Sequence, residues 1–426
     1  MCMWEVMEVV RSFNVEELFR NLRLFYTRVL SVGDGIIKRY CKIWVFQSIN
    51  VVIGIGSLLS FLFAITCAYL YLFPSVQPAI PSYEIPKAVI SVAKCNVADG
   101  KWIQDQTYPL YNASQCPFAE RGFSCLVNGR RDRGYEKWRW KPKNCEIPRF
   151  NARDILIKLS GKRVVLVGDS LSRTQWESLI CMLMTGVDDN RSVYEVNGNK
   201  ITKQIRFLGV WFSTYNLRID FYRSVFLVQP SSAPRRSPKR VKSTLRLDLL
   251  DDISREWIDS DVLIFNSGHW WTPTKLFEMG CYFQVGKSLK LGMPIKTAFK
   301  KALSTWASWV ETTINTNRTS VFFRTFESSH WGGKNRNTCK VTRHPWSNTR
   351  GHERSSISDN IIKVVKKMRV PVKLLHVTRM GAFRSDGHVG SWGDNPSVSD
   401  CSHWCLPGVP DMWNEILLST LLADHE

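Results

Sequence analysis

Apolar residues fall along this chain in three patterns, and each predicts a different element. Short runs rich in Val, Leu, Ile and Phe read as buried strands over Arg163–Val167, Phe221–Val228, Val262–Asn266, Ser320–Thr325 and Lys373–Val377. Longer stretches with apolar residues three and four apart read as helices over Leu171–Met184, Ile295–Ile314, Ile357–Met368 and Pro410–Leu422. In the second of these, Phe299, Ala302, Leu303, Trp306, Trp309, Val310 and Thr313 form one core-facing stripe. Strands and helices alternate from Asn151 onward, which predicts an α/β fold with a parallel sheet covered by helices.

The third pattern is a long uncharged run. Val51–Phe73 is apolar or small apart from Ser57, Ser60 and Thr66, and at ~1.5 Å per residue it would span ~35 Å as a helix. Lys38, Arg39 and Lys42 precede it, which by the positive-inside rule puts that side in the cytosol. The run starts too far into the sequence for a cleaved signal peptide. The expected organisation is a cytosolic tail over 1–42, a transmembrane signal anchor over 43–73 and a Pro-containing stem over 74–94. A Cys- and Trp-rich subdomain over 95–150 and an α/β catalytic domain over 151–426 come next. This organisation predicts a single-pass type II membrane protein with its catalytic part in a lumen.

The strand at Arg163–Val167 leads directly into Gly168-Asp169-Ser170 and then a helix. A serine at such a junction is exposed on a rigid support, and its backbone N–H lies where developing negative charge is stabilised. About 230 residues later comes Asp400-Cys401-Ser402-His403. Together these supply Ser170 as a nucleophile, His403 as its base and Asp400 to hold the base's tautomer. Arg173, one helical turn beyond Ser170, is a candidate for binding an acetyl or sugar oxygen, or else a structural partner of Asp169 or Glu177. Asp169 reads as a cap or brace of the turn.

Composition adds three constraints. The formal net charge of +21 suits a polyanionic partner, and the absence of a nucleic-acid motif leaves acidic polysaccharide ahead of nucleic acid. Nine of the twelve Cys lie beyond the apolar run (Cys95, Cys116, Cys125, Cys145, Cys181, Cys281, Cys339, Cys401 and Cys405), as expected of a disulfide-bonded chain with one cysteine left over. Sequons at Asn112, Asn190 and Asn317 agree with that setting. No metal site is expected, because Cys401, His403 and Cys405 are too closely spaced to share one tetrahedral ion.

The segments Val165-Leu166-Val167-Gly168-Asp169-Ser170-Leu171-Ser172-Arg173-Thr174-Gln175-Trp176 and Asp400-Cys401-Ser402-His403-Trp404-Cys405-Leu406-Pro407-Gly408 resemble the signature of the plant trichome birefringence-like family. Phe265-Asn266-Ser267-Gly268-His269-Trp270-Trp271 and Phe323-Arg324-Thr325-Phe326-Glu327-Ser328-Ser329-His330-Trp331 resemble further motifs of it. The resemblance implies a GDSL/SGNH-hydrolase-like fold and a polysaccharide O-acetyltransferase in the Golgi membrane. It implies an acetyl-serine intermediate and a plant cell-wall acceptor such as pectin or xylan. No bound cofactor is implied, but an acetyl donor is required, acetyl-CoA or another acetylated intermediate, with a membrane protein as its possible supplier. An acetylesterase and a non-catalytic pectin-binding bridge are the alternatives. It further implies Asn266 as an oxyanion-hole residue, and the disulfides Cys95–Cys145, Cys116–Cys181, Cys125–Cys405 and Cys339–Cys401, with Cys281 unpaired.

Overall fold

The alternating strand pattern resolves into a two-faced sheet. The structure, a computed structural model, describes residues 61, 62, 65, 96–332 and 338–423. The chain divides into two compact units, Met1–Glu84 and Ile85–Glu426. Apart from Phe61, Leu62 and Ile65, the described residues all belong to the second unit.

Seven strands form the main sheet of that second unit: β1 (Arg163–Gly168), β2 (Val193–Glu195), β3 (Phe207–Phe212), β4 (Leu217–Arg223), β5 (Val262–Phe265), β6 (Ser320–Arg324) and β7 (Lys373–Leu375). Their order across the sheet is β7-β6-β5-β1-β4-β3-β2. The five from β7 to β4 are parallel, and β3 and β2 extend the sheet antiparallel. Successive side chains of a strand point to opposite faces, and the core divides accordingly. Val164, Leu166, Val262, Ile264 and Phe322 pack on one face, and Val165, Val167, Leu263, Phe265, Val321 and Phe323 on the other.

Among the described residues six helices accompany the sheet: α1 (Ala152–Lys158), α2 (Ser170–Met184), α3 (Ile295–Thr313), α4 (Ser356–Val365), α5 (Thr378–Ala382) and α6 (Val409–Leu422). Helices α2 and α6 belong to the first face. From Leu171 to Met184 every residue of α2 is buried. Its polar side chains bond mainly to other buried groups: Gln175 Nε2 donates to Asn414 Oδ1 at 3.1 Å, and Ser178 Oγ donates to Asp411 Oδ1 at 2.6 Å, while Gln175 Oε1 is left without a partner. Helix α3 covers the second face with Phe299, Ala302, Leu303, Trp306 and Val310 of the expected stripe buried and Trp309 half-buried, whereas Thr313 at its end is exposed. Trp306 packs between Phe265 and Phe323 at centroid distances of 5.4 and 4.8 Å.

Three expectations change. The strand expected at Phe221–Val228 lies earlier, at Leu217–Arg223, because buried Asp220 is compensated by Arg163 and Arg218 at 2.8 Å each and does not end the strand. A second sheet, of Ser288–Lys290, Cys281–Val285, Ser243–Leu250 and Val228–Ser232 in that order, has no counterpart in the apolar pattern. The basic run Arg235–Lys242 belongs to the connection between two of its strands.

The membrane anchor is the third. Among the described residues no helix is long and apolar enough to cross a membrane. The longest, α3, has 19 residues but carries Lys296, Lys300 and Lys301 and packs its apolar side on the sheet. Of the segment 43–73, only Phe61, Leu62 and Ile65 are described; the remainder, with the tail 1–42 and the stem 74–94, lies outside the described residues. The transmembrane helix, the type II topology and the Golgi-membrane location that rested on it are withdrawn.

Residues 96–150 are built of short elements. The strands Gly100–Gln104 and Trp138–Pro142 pair antiparallel, and Tyr111, Phe118 and Trp140 enter the same core as α2 and α6. Disulfides join Cys116 to Cys181, Cys125 to Cys405 and Cys339 to Cys401, and Cys281 is free. Cys145 is disulfide-bonded, while Cys95 lies outside the described residues. The sequon residues Asn112, Asn190 and Asn317 are all exposed.

Trp306 is fully buried between two sheet residues. Trp306→Ala is expected to destabilise the protein by about 3–5 kcal/mol through cavity formation, read as a lowered denaturant midpoint.

Candidate active site

Strand β1 passes into α2 through Gly168-Asp169-Ser170 with no room to spare. A Cβ at position 168 would sit 1.8 Å from Asn266 Oδ1 and 2.7 Å from the Asn266 carbonyl oxygen, so only glycine fits. Asp169 caps the helix, its Oδ1 accepting the Leu171 N–H at 3.0 Å. Ser170 is the first residue of α2 and stands beyond the C-terminal end of a parallel strand, the edge where such sheets place their ligands.

The second half of the site is a short ribbon. Asp400–Trp404 pairs antiparallel with His388–Gly390. Cys401 is bonded to Cys339, and Cys405, just past the strand, to Cys125. The His330 N–H donates to the Cys401 carbonyl at 3.0 Å, and the Trp331 indole N–H donates to Ser402 Oγ at 2.7 Å. The Phe123 ring lies 5.6 Å from the His403 ring.

The two halves meet in a line of hydrogen bonds. Ser170 Oγ is 2.6 Å from His403 Nε2, and His403 Nδ1 is 2.6 Å from Asp400 Oδ2. Asp400 Oδ1 accepts the backbone N–H groups of Ser402 at 2.8 Å and His403 at 3.0 Å. Burial pushes the Asp400 carboxyl up, but the His403 hydrogen bond and charge, with the two backbone donors, more than offset this and hold it well below the usual carboxylate range. An ionised Asp400 keeps the proton on Nδ1 and leaves Nε2 free to accept from serine.

Residues 147–420 match PC-esterase, described as a GDSL/SGNH-like acyl-esterase family found in Pmr5 and Cas1p, and residues 93–146 match the PMR5 N-terminal domain. The chain belongs to the PC-esterase family. It is 60% identical over 373 residues to trichome birefringence-like 7 of Arabidopsis thaliana, covering 87% of this chain and 83% of that protein. It is 42% identical over 347 residues to trichome birefringence-like 9 of the same plant, covering 78% and 84%. Like its family, it is an enzyme of the serine-dependent acyl-esterase and acetyltransferase class.

Two of the other candidate residues are engaged elsewhere in this PC-esterase. The Asn266 carboxamide is turned to Asp169: its Nδ2 donates to Asp169 Oδ1 at 2.9 Å and its Oδ1 accepts the Asp169 N–H at 3.1 Å. It braces the turn. Arg173 is buried and ion-paired with Glu120 and, at 2.8 Å, with Glu177, beneath the Phe123 ring. Its guanidinium therefore ties the 96–150 segment to α2 and is not presented to a substrate. Burial pushes the Glu177 carboxyl up to about 8 despite the Arg173 charge.

Two buried polar clusters draw mainly on residues of the quoted motifs to which the sequence assigns no role. One comprises His269, Arg324 and Glu327, behind the serine turn. The other is a histidine pair under the ribbon: His388 Nδ1 lies 2.9 Å from the His403 carbonyl oxygen, and His388 Nε2 lies 2.6 Å from His330 Nδ1. Their signal in the sequence is the presence of ionisable residues inside apolar runs, for instance Arg324 and Glu327 flanking Phe326 after Phe322 and Phe323.

Gly168→Ala forces either Asn266 or the Ser170 turn to move. A displacement near 1 Å is expected to lower kcat by about a hundredfold, measured with any acetyl ester substrate. The buried histidine pair carries a pH prediction. Burial pushes His330 down to about 4, whereas an unfolded histidine ionises near ~6.5. At this residue the unfolded chain therefore binds more protons between these values, and its contribution to stability declines as the pH falls from about 6.5 to about 4. Buried Glu177, raised to about 8, contributes the opposite slope in the same window, so the His330 contribution is read as a difference: the urea midpoint of wild type relative to His330→Gln is expected to fall as the pH falls from about 6.5 to about 4.

Proposed function

We propose that this enzyme transfers an acetyl group, through an acetyl-Ser170 intermediate, to a hydroxyl of a cell-wall polysaccharide, a pectin or a hemicellulose such as xylan. The observation that supports it is the continuous Ser170–His403–Asp400 hydrogen-bond line, at 2.6 Å for each link. The names of the relatives add the family but not the substrate.

In the first half-reaction Ser170 Oγ attacks the acetyl carbonyl carbon while its proton passes to His403 Nε2. The Oγ–C bond forms, the donor's bond to the acetyl group breaks, and the His403 proton goes to the departing group. The Ser170 backbone N–H, at the positive end of α2, faces the developing oxyanion. In the second half a sugar hydroxyl gives its proton to His403 and takes the acetyl group, restoring Ser170. The donor is an acetyl ester or thioester, acetyl-CoA or another acetylated intermediate. Asp400 stays ionised throughout and stabilises the imidazolium formed in each half.

The family's description as acyl-esterases favours one second reading, in which water takes the place of the sugar hydroxyl and the enzyme removes acetyl groups. The chemistry is the same up to the acetyl-enzyme, and exclusion of water decides between them.

Incubation with donor alone is expected to leave one acetyl mass on the peptide containing Ser170, and addition of glycan to move it to the sugar. Free acetate in place of acetylated glycan would favour the esterase. Ser170→Ala and His403→Ala are expected to abolish turnover without loss of fold. Asp400→Asn is expected to lower kcat by roughly 10⁴-fold by favouring the wrong tautomer. Near-normal acetylation by Ser170→Ala would overturn the mechanism.

A further inference from the structure

Behind the Ser170 turn, four ionisable side chains run in a line of alternating charge. Asp169 Oδ2 faces His269 Nδ1 at 3.3 Å. His269 Nε2 faces Glu327 Oε2 at 3.4 Å and the Glu327 carbonyl oxygen at 3.3 Å. Glu327 Oε1 meets Arg324 Nη1 at 2.6 Å. The side chains of Asp169, Glu327 and Arg324 are 0% exposed. Phe326 stacks on the His269 ring at 4.2 Å, and the Arg324 guanidinium lies 4.3 Å over the Trp413 ring of α6. The charged groups around His269 are thus Asp169 from the turn after β1, Arg324 at the end of β6, and Glu327 just beyond it.

Both ring nitrogens of His269 face carboxylate or carbonyl oxygens. A neutral imidazole has one N–H, so its bare nitrogen would aim a lone pair at an acceptor in a site from which water is largely removed. A doubly protonated ring supplies an N–H to each side and balances two anions with two cations. Burial pushes the imidazole down, but the Asp169 and Glu327 charges outweigh it and leave its pKa raised. Meanwhile Asp169 Oδ1 accepts from the Leu171 N–H and from Asn266 Nδ2. The remaining oxygen, Oδ2, has no hydrogen-bond partner and meets the His269 ring at 3.3 Å as an ion pair, a contact that restrains the carboxylate capping α2 beside Ser170.

We propose that His269, clamped as an imidazolium between Asp169 and Glu327, is a positioning residue for the acyl-transfer reaction, acting through Asp169 on the nucleophile turn. The inference rests on the reading of Ser170 as the nucleophile. Arg324 neutralises Glu327 and Glu327 holds the ring proton, so the line extends from β6 to the catalytic serine without touching the substrate.

The test has a spectroscopic and a kinetic arm, both on the full chain. Histidine-selective 13C and 15N NMR is expected to show His269 titrating above the ordinary ~6.5, and lower in Glu327→Gln. A titration at or below the ordinary value, or one that Glu327→Gln leaves unchanged, overturns the proposal. In His269→Gln, kcat is expected to fall about tenfold or more with KM within about twofold, and a fluorophosphonate probe to label Ser170 correspondingly more slowly. An unchanged kcat, or a loss confined to KM, overturns it. Should His269→Gln not fold, the same kinetic split is read on Glu327→Gln, with the same outcomes. If wild-type Ser170 takes no label, the nucleophile reading fails and the catalytic half of this proposal falls with it, while the NMR titration still reports on the ring itself.

Discussion

Ser170 and His403 are 233 residues apart in the chain, and their side chains meet at 2.6 Å. A hydrogen bond of that length tolerates little displacement, so both partners need supports that do not move. The serine stands at the junction of a central parallel strand and a helix buried from Leu171 onward. The histidine stands on a ribbon that is not part of the main sheet, and its position is over-determined in another way. Two disulfides leave that ribbon in different directions, to Cys339 and to Cys125. The remaining constraints come from the backbone of His330, the indole of Trp331 and the histidine pair beneath. Rigid secondary structure supports one half of the site and covalent and polar cross-links support the other.

The 96–150 segment supplies much of this second support. It provides Cys125 for the disulfide, Phe123 against the His403 ring, and Arg130, whose guanidinium donates to the carbonyls of Asp386 at 2.7 Å and His388 at 3.3 Å. Glu120 from the same segment closes on Arg173 while its N–H donates to Glu177 at 2.8 Å. A segment expected from sequence to be a separate Cys- and Trp-rich subdomain is a wall of the site and packs into the core of the sheet.

Much of the architecture is legible in the apolar pattern, because that pattern reports burial. The strands at 163, 262, 320 and 373 and four helices lie within a few residues of where the periodicity puts them. The pattern fails where burial and polarity part company. Asp220 is fully buried inside a strand, so β4 does not read as apolar over its true length. The smaller sheet contains Pro230, Arg246 and Asp248 and has no clean alternation. The same rule hides His269, Arg324 and Glu327, since a charged residue in sequence reads as a solvated one until its partners are placed around it. The resemblance offers Asn266 as an oxyanion-hole residue, and only the folded arrangement shows that its carboxamide faces Asp169. The uncharged run before residue 74 carries the topology reading, and it falls almost wholly outside the described residues.

The bond between Cys125 and Cys405 spans 280 residues of sequence. A chain emerging in order from its N-terminal side presents Cys116, Cys125 and Cys145 together, long before Cys405 exists. During that interval the nearest thiols to Cys125 are the wrong ones. A bridge from Cys125 to either of them would leave the ribbon untethered at Cys405. Thiol exchange must then free Cys125 before it can bond Cys405 and fix the ribbon that carries His403.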